Sequence, residues 1–538
     1  MVVPRLVRTS LALAFAAFAG GCGGGGDAPA VVGDPEVGGT AIVAVTSDFQ
    51  AFNPVTNTAV VTNEVINFML FTPLIQMNAD LEPVPALAES WELDEQGVTF
   101  RLRNDVMWHD GQPTTADDVL FTFELAKNEE TASLLGSAYL TMVESATVVD
   151  PQTIRFEFVA PHSQAMQGFW WAPLPRHLLG SVAPAELGQN PYNRQPVGNG
   201  PFKFVSWQSG QELTVEANAE YPEALGGRPM LDRIVFRVVP EATTRLTEIL
   251  TGAIHINHTL LPDEAQQVEG QQGVTLVQYP GREFLYVGWN NERELFSDPR
   301  VRRALTMAID RDAIIESLMF GFAEPATGMI PSWSPIAPAV EAIPFDQAGA
   351  RALLQQAGFA PGPDGTLARN GQPLRFTIMS SEDRLRQDIA VVVQQQLSQI
   401  GVQAEVRAVE FQTLLQQHRA RDYEGIISGW SLDTFRADPS PLFSCEQAQT
   451  PESANRAGYC NPAADRLIDA GLRETTDARS QEIWGEFTRL LQNDQPITFL
   501  FWPQQLAGVH QSIQGVEMDV RGKFVTATEW WIPGGSQQ

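Results

Sequence analysis

The stretch Phe284-Leu-Tyr-Val-Gly-Trp289 stands near the middle of the 538-residue chain and is followed by Asn290-Asn291. Five of its six residues are apolar or aromatic, which indicates a buried strand, and the asparagines suit its exit because their side chains bond nearby backbone groups. Directly after it, Asp298 and Pro299 are typical of a helix start. We interpret the strand as a crossing between two halves of one molecule, with an ordinary core strand as the alternative.

The segments on either side of this strand each predict an α/β lobe. In the second half, an alternating strand at 374–378, a helix at 383–400 ended by Gly401 and a strand from Val402 predict a βαβ unit. In the first half, residues 40–45 predict a buried strand. The apolar run 497–502 is interpreted as the return crossing, which puts the hinge near 280–285 and 500–503.

The N-terminus has the pattern of an export signal. Arg5 and Arg8 precede a short apolar run at 11–18, too short to span a bilayer, which needs about 20 residues. The small residues Ala19-Gly20-Gly21 directly before Cys22 resemble a bacterial lipobox. We therefore predict a lipoprotein signal peptide over 1–21, lipidation of Cys22, and a glycine-rich flexible tether over 22–39.

Composition restricts the classes of partner. With 43% hydrophobic residues the chain can bury two or three cores, and its formal net charge of −29 argues against a nucleic-acid partner. The charge is interpreted as a source of solubility, with attraction of cationic ligands as the alternative. Of the three cysteines, Cys445 and Cys460 are expected to form a disulfide in the oxidising cell envelope. A metal or catalytic pair is the alternative, and it lacks the usual tight spacing.

Five motifs in the first 310 residues are similar to those of the family 5 extracellular solute-binding proteins, the dipeptide- and oligopeptide-binding components of ABC importers. In chain order they are Leu87-Ala-Glu-Ser-Trp-Glu92 with Phe100-Arg-Leu-Arg103, Trp108-His-Asp-Gly111, Thr115-Ala-Asp-Asp-Val119, Gly198-Asn-Gly-Pro-Phe-Lys-Phe204, and Asp298-Pro-Arg-Val-Arg-Arg-Ala304 with Ile309-Asp310. The resemblance spans nearly the whole mature chain in the family's order.

This resemblance implies an α/β, two-lobed periplasmic-binding-protein-like fold with an additional smaller domain inserted in the first lobe. The corresponding division of the chain is lobe I at 40–83, 195–283 and 503–538, the inserted domain at 84–194, and lobe II at 284–502.

The resemblance also implies a ligand-binding pair. In peptide-binding members, a tryptophan followed three residues later by an aspartate sits in the cleft between the lobes, where the aspartate binds the ligand's α-amino group. Trp430 and Asp433 match that spacing, although the residues between and after them differ somewhat from the family pattern. A turn-capping role is the alternative for Asp433. The pair Trp170-Trp171 could form the floor of a groove, and packing in the core or between domains is favoured.

The resulting hypothesis is a substrate-binding lipoprotein that captures peptides by hinge closure and delivers them to the permease and ATPase subunits of an ABC importer. We expect a monomer in the periplasmic or extracytoplasmic envelope, lipid-anchored to a membrane, with no cofactor and no metal. The chain has no P-loop, HExxH, GxSxG or paired CxxC motif, and we predict that it is not an enzyme. Nickel or metallophore capture, oligosaccharide binding and an envelope hydrolase are the alternatives.

Overall fold

The computed structural model describes residues 35–162, 164–432, 435 and 438–534. Its strands within these residues are β1 (Thr40–Val45), β2 (Ile75–Met77), β3 (Pro83–Pro85), β4 (Ala88–Leu93), β5 (Gly97–Leu102), β6 (Val143–Asp150), β7 (Thr153–Phe158), β8 (Phe202–Gln208), β9 (Glu212–Ala217), β10 (Arg233–Val238), β11 (Ile256–Asn257), β12 (Val274–Pro280), β13 (Glu283–Trp289), β14 (Ala323–Pro325), β15 (Ala360–Pro361), β16 (Leu367–Arg369), β17 (Gln372–Pro373), β18 (Arg375–Ser381), β19 (Gln403–Val409), β20 (Gly425–Ser431) and β21 (Ile497–His510).

The α-helices in the same part of the chain are α1 (Val60–Val65), α2 (Ala116–Lys127), α3 (Arg176–Leu179), α4 (Ala242–Thr251), α5 (Pro262–Val268), α6 (Glu294–Ser297), α7 (Pro299–Met307), α8 (Arg311–Met319), α9 (Gln347–Gln356), α10 (Arg384–Gln399), α11 (Phe411–Arg419), α12 (Ser440–Phe443), α13 (Cys445–Gln449), α14 (Pro462–Arg473) and α15 (Asp477–Asp494). No helix of the described residues is both long enough and apolar enough to cross a bilayer.

The largest sheet has twelve strands, and β21 runs through both halves of it. The strand order is β19, β18, β20, β13, β21, β11, β1, β10, β9 and β8, and β12 and β14 also pair with β21. β13 pairs antiparallel with residues 497–501 of β21, and β12 pairs antiparallel with residues 504–510. The chain therefore passes from one half to the other between β12 and β13, alongside the strand by which it returns.

β13 is buried on both faces, which explains its almost continuous apolar sequence. Leu285, Val287 and Trp289 belong to one apolar core cluster, and Phe284 and Tyr286 belong to another. Successive side chains of a strand point to opposite faces, so the two clusters lie on opposite sides of the sheet. Helices α7, α8, α9 and α10 contribute to the first cluster and α14 and α15 to the second. This half is an α/β lobe with helices on both faces of its sheet.

The predicted βαβ unit of the second half is confirmed. β18 and β19 are parallel neighbours, and α10 connects them. The predicted cap is present as well: the Asp298 carboxylate accepts from the N–H of Arg300, with Pro299 at the first helical position. The helix predicted to start at 383 is capped by Asp383, which accepts from the N–H of Arg386. These features follow from residues a few positions apart, which is why the sequence predicts them.

In the first half, the large sheet is likewise covered on both faces. One core cluster includes Val43 and Phe236, and a second includes Ala44 and residues of α4 and α5. A separate antiparallel sheet in the order β4, β5, β7, β6 lies within segment 84–194. Its buried residues belong to the same cluster as Val43. The independence of 84–194 as a domain, and the other domain bounds, stay predictions.

Strand β21 is longer than the apolar run 497–502 predicts. It continues through Pro503, Gln504 and Gln505 to His510. Proline has no N–H to donate and is disfavoured inside a sheet, but Pro503 stands between the residues of β21 that pair with β13 and those that pair with β12. The proline therefore marks the change of partner rather than the end of the strand.

A disulfide joins Cys445 to Cys460. The loop between them is held by Asn455, whose side-chain amide donates to the carbonyl oxygens of Ser444 (3.0 Å) and Tyr459 (2.7 Å). Asn455 is fully buried. The bridge thus closes a short loop that is already tied at its middle.

Replacing both cysteines by serine should lower the free energy of unfolding by roughly 3 kcal/mol, because the bridge restricts the unfolded chain. Urea unfolding of the wild type and of Cys445→Ser/Cys460→Ser in oxidising buffer measures the difference. With reductant present, the two proteins should unfold at nearly the same midpoint. Equal stability in oxidising buffer, or free thiols at both positions in protein exported without reductant, would contradict the prediction.

Candidate functional site

A cavity of about 260 Å³ lies where β12 ends and β13 begins. Its lining residues come from segments 54–67, 134–139, 170–171, 279–283, 431–432 and 519–523, and from Gln505 of β21. Ser431 is the last residue of β20 in the second lobe, and Leu432 follows it. Segments 54–67, 170–171 and 519–523 contribute to the core of the first lobe. The cavity therefore lies between the lobes, beside the strands that join them.

The two crossing strands touch through their backbones at this cavity. A Cβ atom added at Gly281 would lie 2.4 Å from the carbonyl oxygen of Pro503, so only glycine fits there. The indole N–H of Trp333 donates to the carbonyl oxygen of Gly281 at 3.1 Å, and the backbone N–H of Leu432 donates to that of Arg282 at 2.8 Å. The second lobe is thus tied directly to the crossing by the side chain of Trp333 and by the backbone of Leu432.

The wall from the first lobe carries two ion pairs. The Nζ of Lys523 lies 3.7 Å from Oε1 of Glu64, and the backbone N–H of Lys523 donates to Oε2 of Glu64 at 2.9 Å. The guanidinium of Arg521 pairs with Asp519, its Nε lying 3.0 Å from Oδ1, and its Nη1 donates to the carbonyl oxygen of Met77 at 2.9 Å. The charges on this wall therefore neutralise one another and hold their side chains in place.

Glu283 brings a partly exposed carboxyl group to the crossing, its side chain being 40% exposed. Burial raises the pKa of Glu283, and the guanidinium of Arg386 on α10, 3.2 Å away, opposes that rise. A Cβ atom at Gly429 would lie 2.3 Å from Oε1 of Glu283, so this glycine makes the room for the carboxyl group. An ammonium group of a ligand in the cavity would favour the ionised form of Glu283.

Three aromatic side chains, Trp170, Trp333 and Phe435, form a cluster at the edge of the cavity. The ring of Phe435 lies 5.1 Å from that of Trp170 and 6.3 Å from that of Trp333, measured between centroids. The guanidinium carbon of Arg282 lies 5.5 Å from the centroid of Phe435. The indole N–H of Trp170 donates to Oε1 of Gln76 at 2.9 Å. Phe435 follows β20 in the chain but belongs to the core cluster of the first lobe, so this aromatic cluster connects the two lobes.

The residues predicted for the site have different positions. Trp430 lies in β20 opposite Phe284 and packs against the core cluster that contains Phe284; it is not among the residues that line the cavity. Its neighbours Ser431 and Leu432 do line it. Asp433 lies outside the described residues, as does Cys22, so their roles stay predictions.

Trp170 and Trp171 are buried, as the favoured packing interpretation requires, and both also line the cavity. His109 lies elsewhere, with its Nε2 3.0 Å from the carbonyl oxygen of Gly200, and burial lowers its pKa to about 4.

Sequence reasoning missed most of the cavity wall. Glu64 and Lys523 are 459 positions apart in the sequence, and no local pattern predicts their contact. Phe435 stands two positions after Asp433 in the sequence. A buried aromatic residue so close to a predicted binding motif is the one signal that could have indicated its place.

A cavity between two α/β lobes, lined by residues of both and flanked by paired crossing strands, defines a two-lobed solute-binding protein. The chain belongs to the bacterial extracellular solute-binding proteins, family 5, whose model matches residues 82–450. The predicted two-lobed α/β fold is confirmed by its similarity to solved structures of such proteins, while the inserted domain stays a prediction. The prediction that the chain is not an enzyme is confirmed by its relatives.

Two curated relatives and one solved structure illustrate the similarity. The oligopeptide-binding protein AppA of Bacillus subtilis is 29% identical over 547 residues, covering 98% of this chain and 98% of that protein. The glutathione-binding protein GsiB of Pectobacterium atrosepticum is 28% identical over 479 residues, covering 86% and 88%. The structure of Bacillus subtilis AppA in complex with a nonapeptide has a TM-score of 0.76 at 28% identity and covers 93% of this chain and 100% of that one.

Proposed function

We propose that this protein is the substrate-binding component of an ABC importer and that it captures peptides in the cavity between its lobes. The observation that carries the proposal is the position of the cavity, whose wall includes residues of both lobes and of the crossing between them. A ligand held there would contact both lobes at once. The relatives are named as an oligopeptide-binding protein and a glutathione-binding protein, and the first was solved with a nonapeptide. These names support a peptide ligand.

The mechanism we propose is closure of the lobes about the crossing near Gly281 and Pro503. A ligand stabilises the closed state only by its higher affinity for that state, and about 5.5 kcal/mol of difference is needed to shift a population from 1:99 to 99:1. Small-angle scattering with and without bound peptide measures the change. The radius of gyration should fall when the peptide binds, and an unchanged radius at saturation would overturn closure.

Mass spectrometry of the small molecules released from denatured protein tests the ligand class. Protein purified from cells that were fed a peptide mixture should release intact peptides, which a hydrolase would have cleaved to fragments. Metal analysis of the same preparation serves as the comparison, because a nickel-chelate receptor would carry stoichiometric metal. Release of a sugar or a metal chelate, with no peptide, would overturn the proposal.

Membrane attachment is proposed through Cys22, on the lipobox-like residues that precede it. A single lipidated residue and a glycine-rich tether would keep the lobes close to a membrane permease and its ATPase subunits. The variant Cys22→Ser should move from the membrane fraction to the soluble envelope fraction after cell fractionation. Retention of the variant in the membrane fraction would contradict the anchor.

A further inference from the structure

A helix of the first lobe presents one face to the cavity. Residues three and four positions apart share a helix face, and the cavity is lined by Val60, Asn63, Glu64 and Asn67. Helix α1 ends at Val65, and a wider π-helical turn, a feature often found at functional sites, follows over Ile66–Leu70. The backbone carbonyl oxygen of Asn67 accepts from Nε2 of Gln76 at 3.4 Å. The turn is therefore tied to its surroundings without using the side chain of Asn67.

The charged residues that segments 54–67 and 519–523 bring to the cavity are already paired. Glu64 pairs with Lys523, and Asp519 pairs with Arg521. A charged group of a ligand would have to compete with these pairs for either partner. This part of the wall is therefore suited to hydrogen bonds from neutral groups rather than to recognition of a ligand charge.

Two side-chain amides of the cavity wall, those of Asn67 and Gln505, have no hydrogen-bond partner among the described residues. Two other amides of the wall bond each other, because Nδ2 of Asn57 donates to Oδ1 of Asn63 at 2.7 Å. A Cβ atom added at Gly281 would lie 3.2 Å from Nε2 of Gln505, so this glycine also makes room for the Gln505 amide. Asn67 and Gln505 thus bring donors and acceptors to the cavity that the protein itself does not use.

We infer that Asn67 and Gln505 bind the peptide backbone of the ligand through their side-chain amides, an inference that rests on the proposed function. An amide side chain has one acceptor oxygen and an NH₂ group, so it can accept from a peptide N–H and donate to a peptide C=O. Every peptide residue except proline carries both groups. These contacts are therefore independent of the ligand's side chains. Asn67 belongs to the first lobe and Gln505 to β21, so the two amides hold the ligand beside the crossing.

Calorimetric titration with N-methylated peptides tests the inference. The probes are trialanine and pentaalanine, and forms of each that are N-methylated at one residue after the first, which removes a single peptide N–H. Asn67→Ala and Gln505→Ala should each weaken binding of the unmethylated probes about 3- to 10-fold, the effect of one lost neutral hydrogen bond. At least one N-methylation should weaken binding to the wild type and have an effect at least about 3-fold smaller on the variant, because the variant already lacks that bond.

The matched control is Asn104→Ala, the same change at an exposed residue that follows β5. It should keep the wild-type affinities and the wild-type response to every N-methylation. Asn67→Leu and Gln505→Met, which keep the size of the side chain, serve where an alanine variant does not unfold cooperatively in urea. Wild-type affinity of a variant, or an equal response of variant and wild type to every N-methylation, would overturn the assignment of that residue and leave peptide binding intact. Absence of binding of both unmethylated probes to folded wild type would overturn the proposed function as well.

Discussion

Asp433→Asn is expected to weaken the binding of peptides with a free α-amino group by about 10-fold or more. A receptor for many peptides can recognise only what they share, which is the backbone and the charged ends. The backbone groups of a peptide can form hydrogen bonds by strand-like pairing with the receptor. The ammonium group needs a carboxylate, and such a charge-assisted hydrogen bond contributes roughly 1.5–3 kcal/mol. Asp433 follows Leu432 directly in the sequence, and Leu432 lines the cavity.

The measurement is calorimetric titration of both proteins with one peptide in its free and its N-acetylated form. The acetylated peptide should bind poorly to both, because it has no ammonium group for Asp433 to pair with. The matched control is Asp438→Asn, the same change at a residue whose side chain accepts from the N–H of Ser440, a bond that asparagine can also make. Equal affinities in all four pairings of protein and peptide would show that Asp433 does not bind the amine.

Glu64→Gln is expected to lower the free energy of unfolding by about 3 kcal/mol or more. The side chains of Lys523 and Glu64 are only 11% and 7% exposed, so removal of the carboxylate leaves a buried ammonium group without its counter-ion. Glutamine keeps an oxygen that can accept the backbone N–H of Lys523. The change therefore tests the charge rather than the hydrogen bond between α1 and the C-terminal segment.

Urea unfolding measures the effect, with Glu89→Gln as the matched control. Glu89 pairs with Arg101 at 3.2 Å, but the two side chains are 46% and 70% exposed, and exposed pairs contribute at most about 1 kcal/mol. Glu64→Gln/Lys523→Met should recover part of the stability lost in Glu64→Gln, because it removes the unpaired charge as well. If Glu64→Gln and Glu89→Gln shift the unfolding midpoint equally, the buried pair does not stabilise the fold as we expect.

Individual elements of the fold were predictable because their signals are local, whereas the two-lobed architecture with an inserted domain was implied by the family resemblance. Six consecutive residues, five of them apolar or aromatic, indicate that β13 is buried on both faces. The capping box of Thr115 and Asp118 spans four residues. The hairpin turn at Asn370-Gly371, with φ of 52° and 75°, needs only two residues that tolerate the left-handed region. The end of β21 was the exception, because Pro503 is tolerated only through a change of strand partner that the sequence does not display.

The candidate site was less predictable, because its parts meet from distant positions. Trp430 was selected by its spacing to Asp433, yet its ring packs into the core of the second lobe, and the cavity wall begins at the next residue. Strand alternation accounts for the different positions of Trp430 and Ser431, since neighbouring residues of a strand point to opposite faces. Leu432, which follows the strand, both lines the cavity and belongs to the core cluster that Trp430 packs against. The motif therefore identified the strand end at the cavity but not the side chains that line it.

By itself, the sequence determined several strands and helix starts, the cysteine pair and the family, because each depends on residues near one another or on motifs kept in order. Only the tertiary structure decided which surfaces face the cavity. Glu64 meets Lys523, Trp170 meets Phe435, and Gly281 meets Pro503 because the β21 strand runs through both halves of one sheet and draws the ends and the middle of the chain together. Such contacts join segments that share no local pattern, so the sequence near either residue does not indicate them.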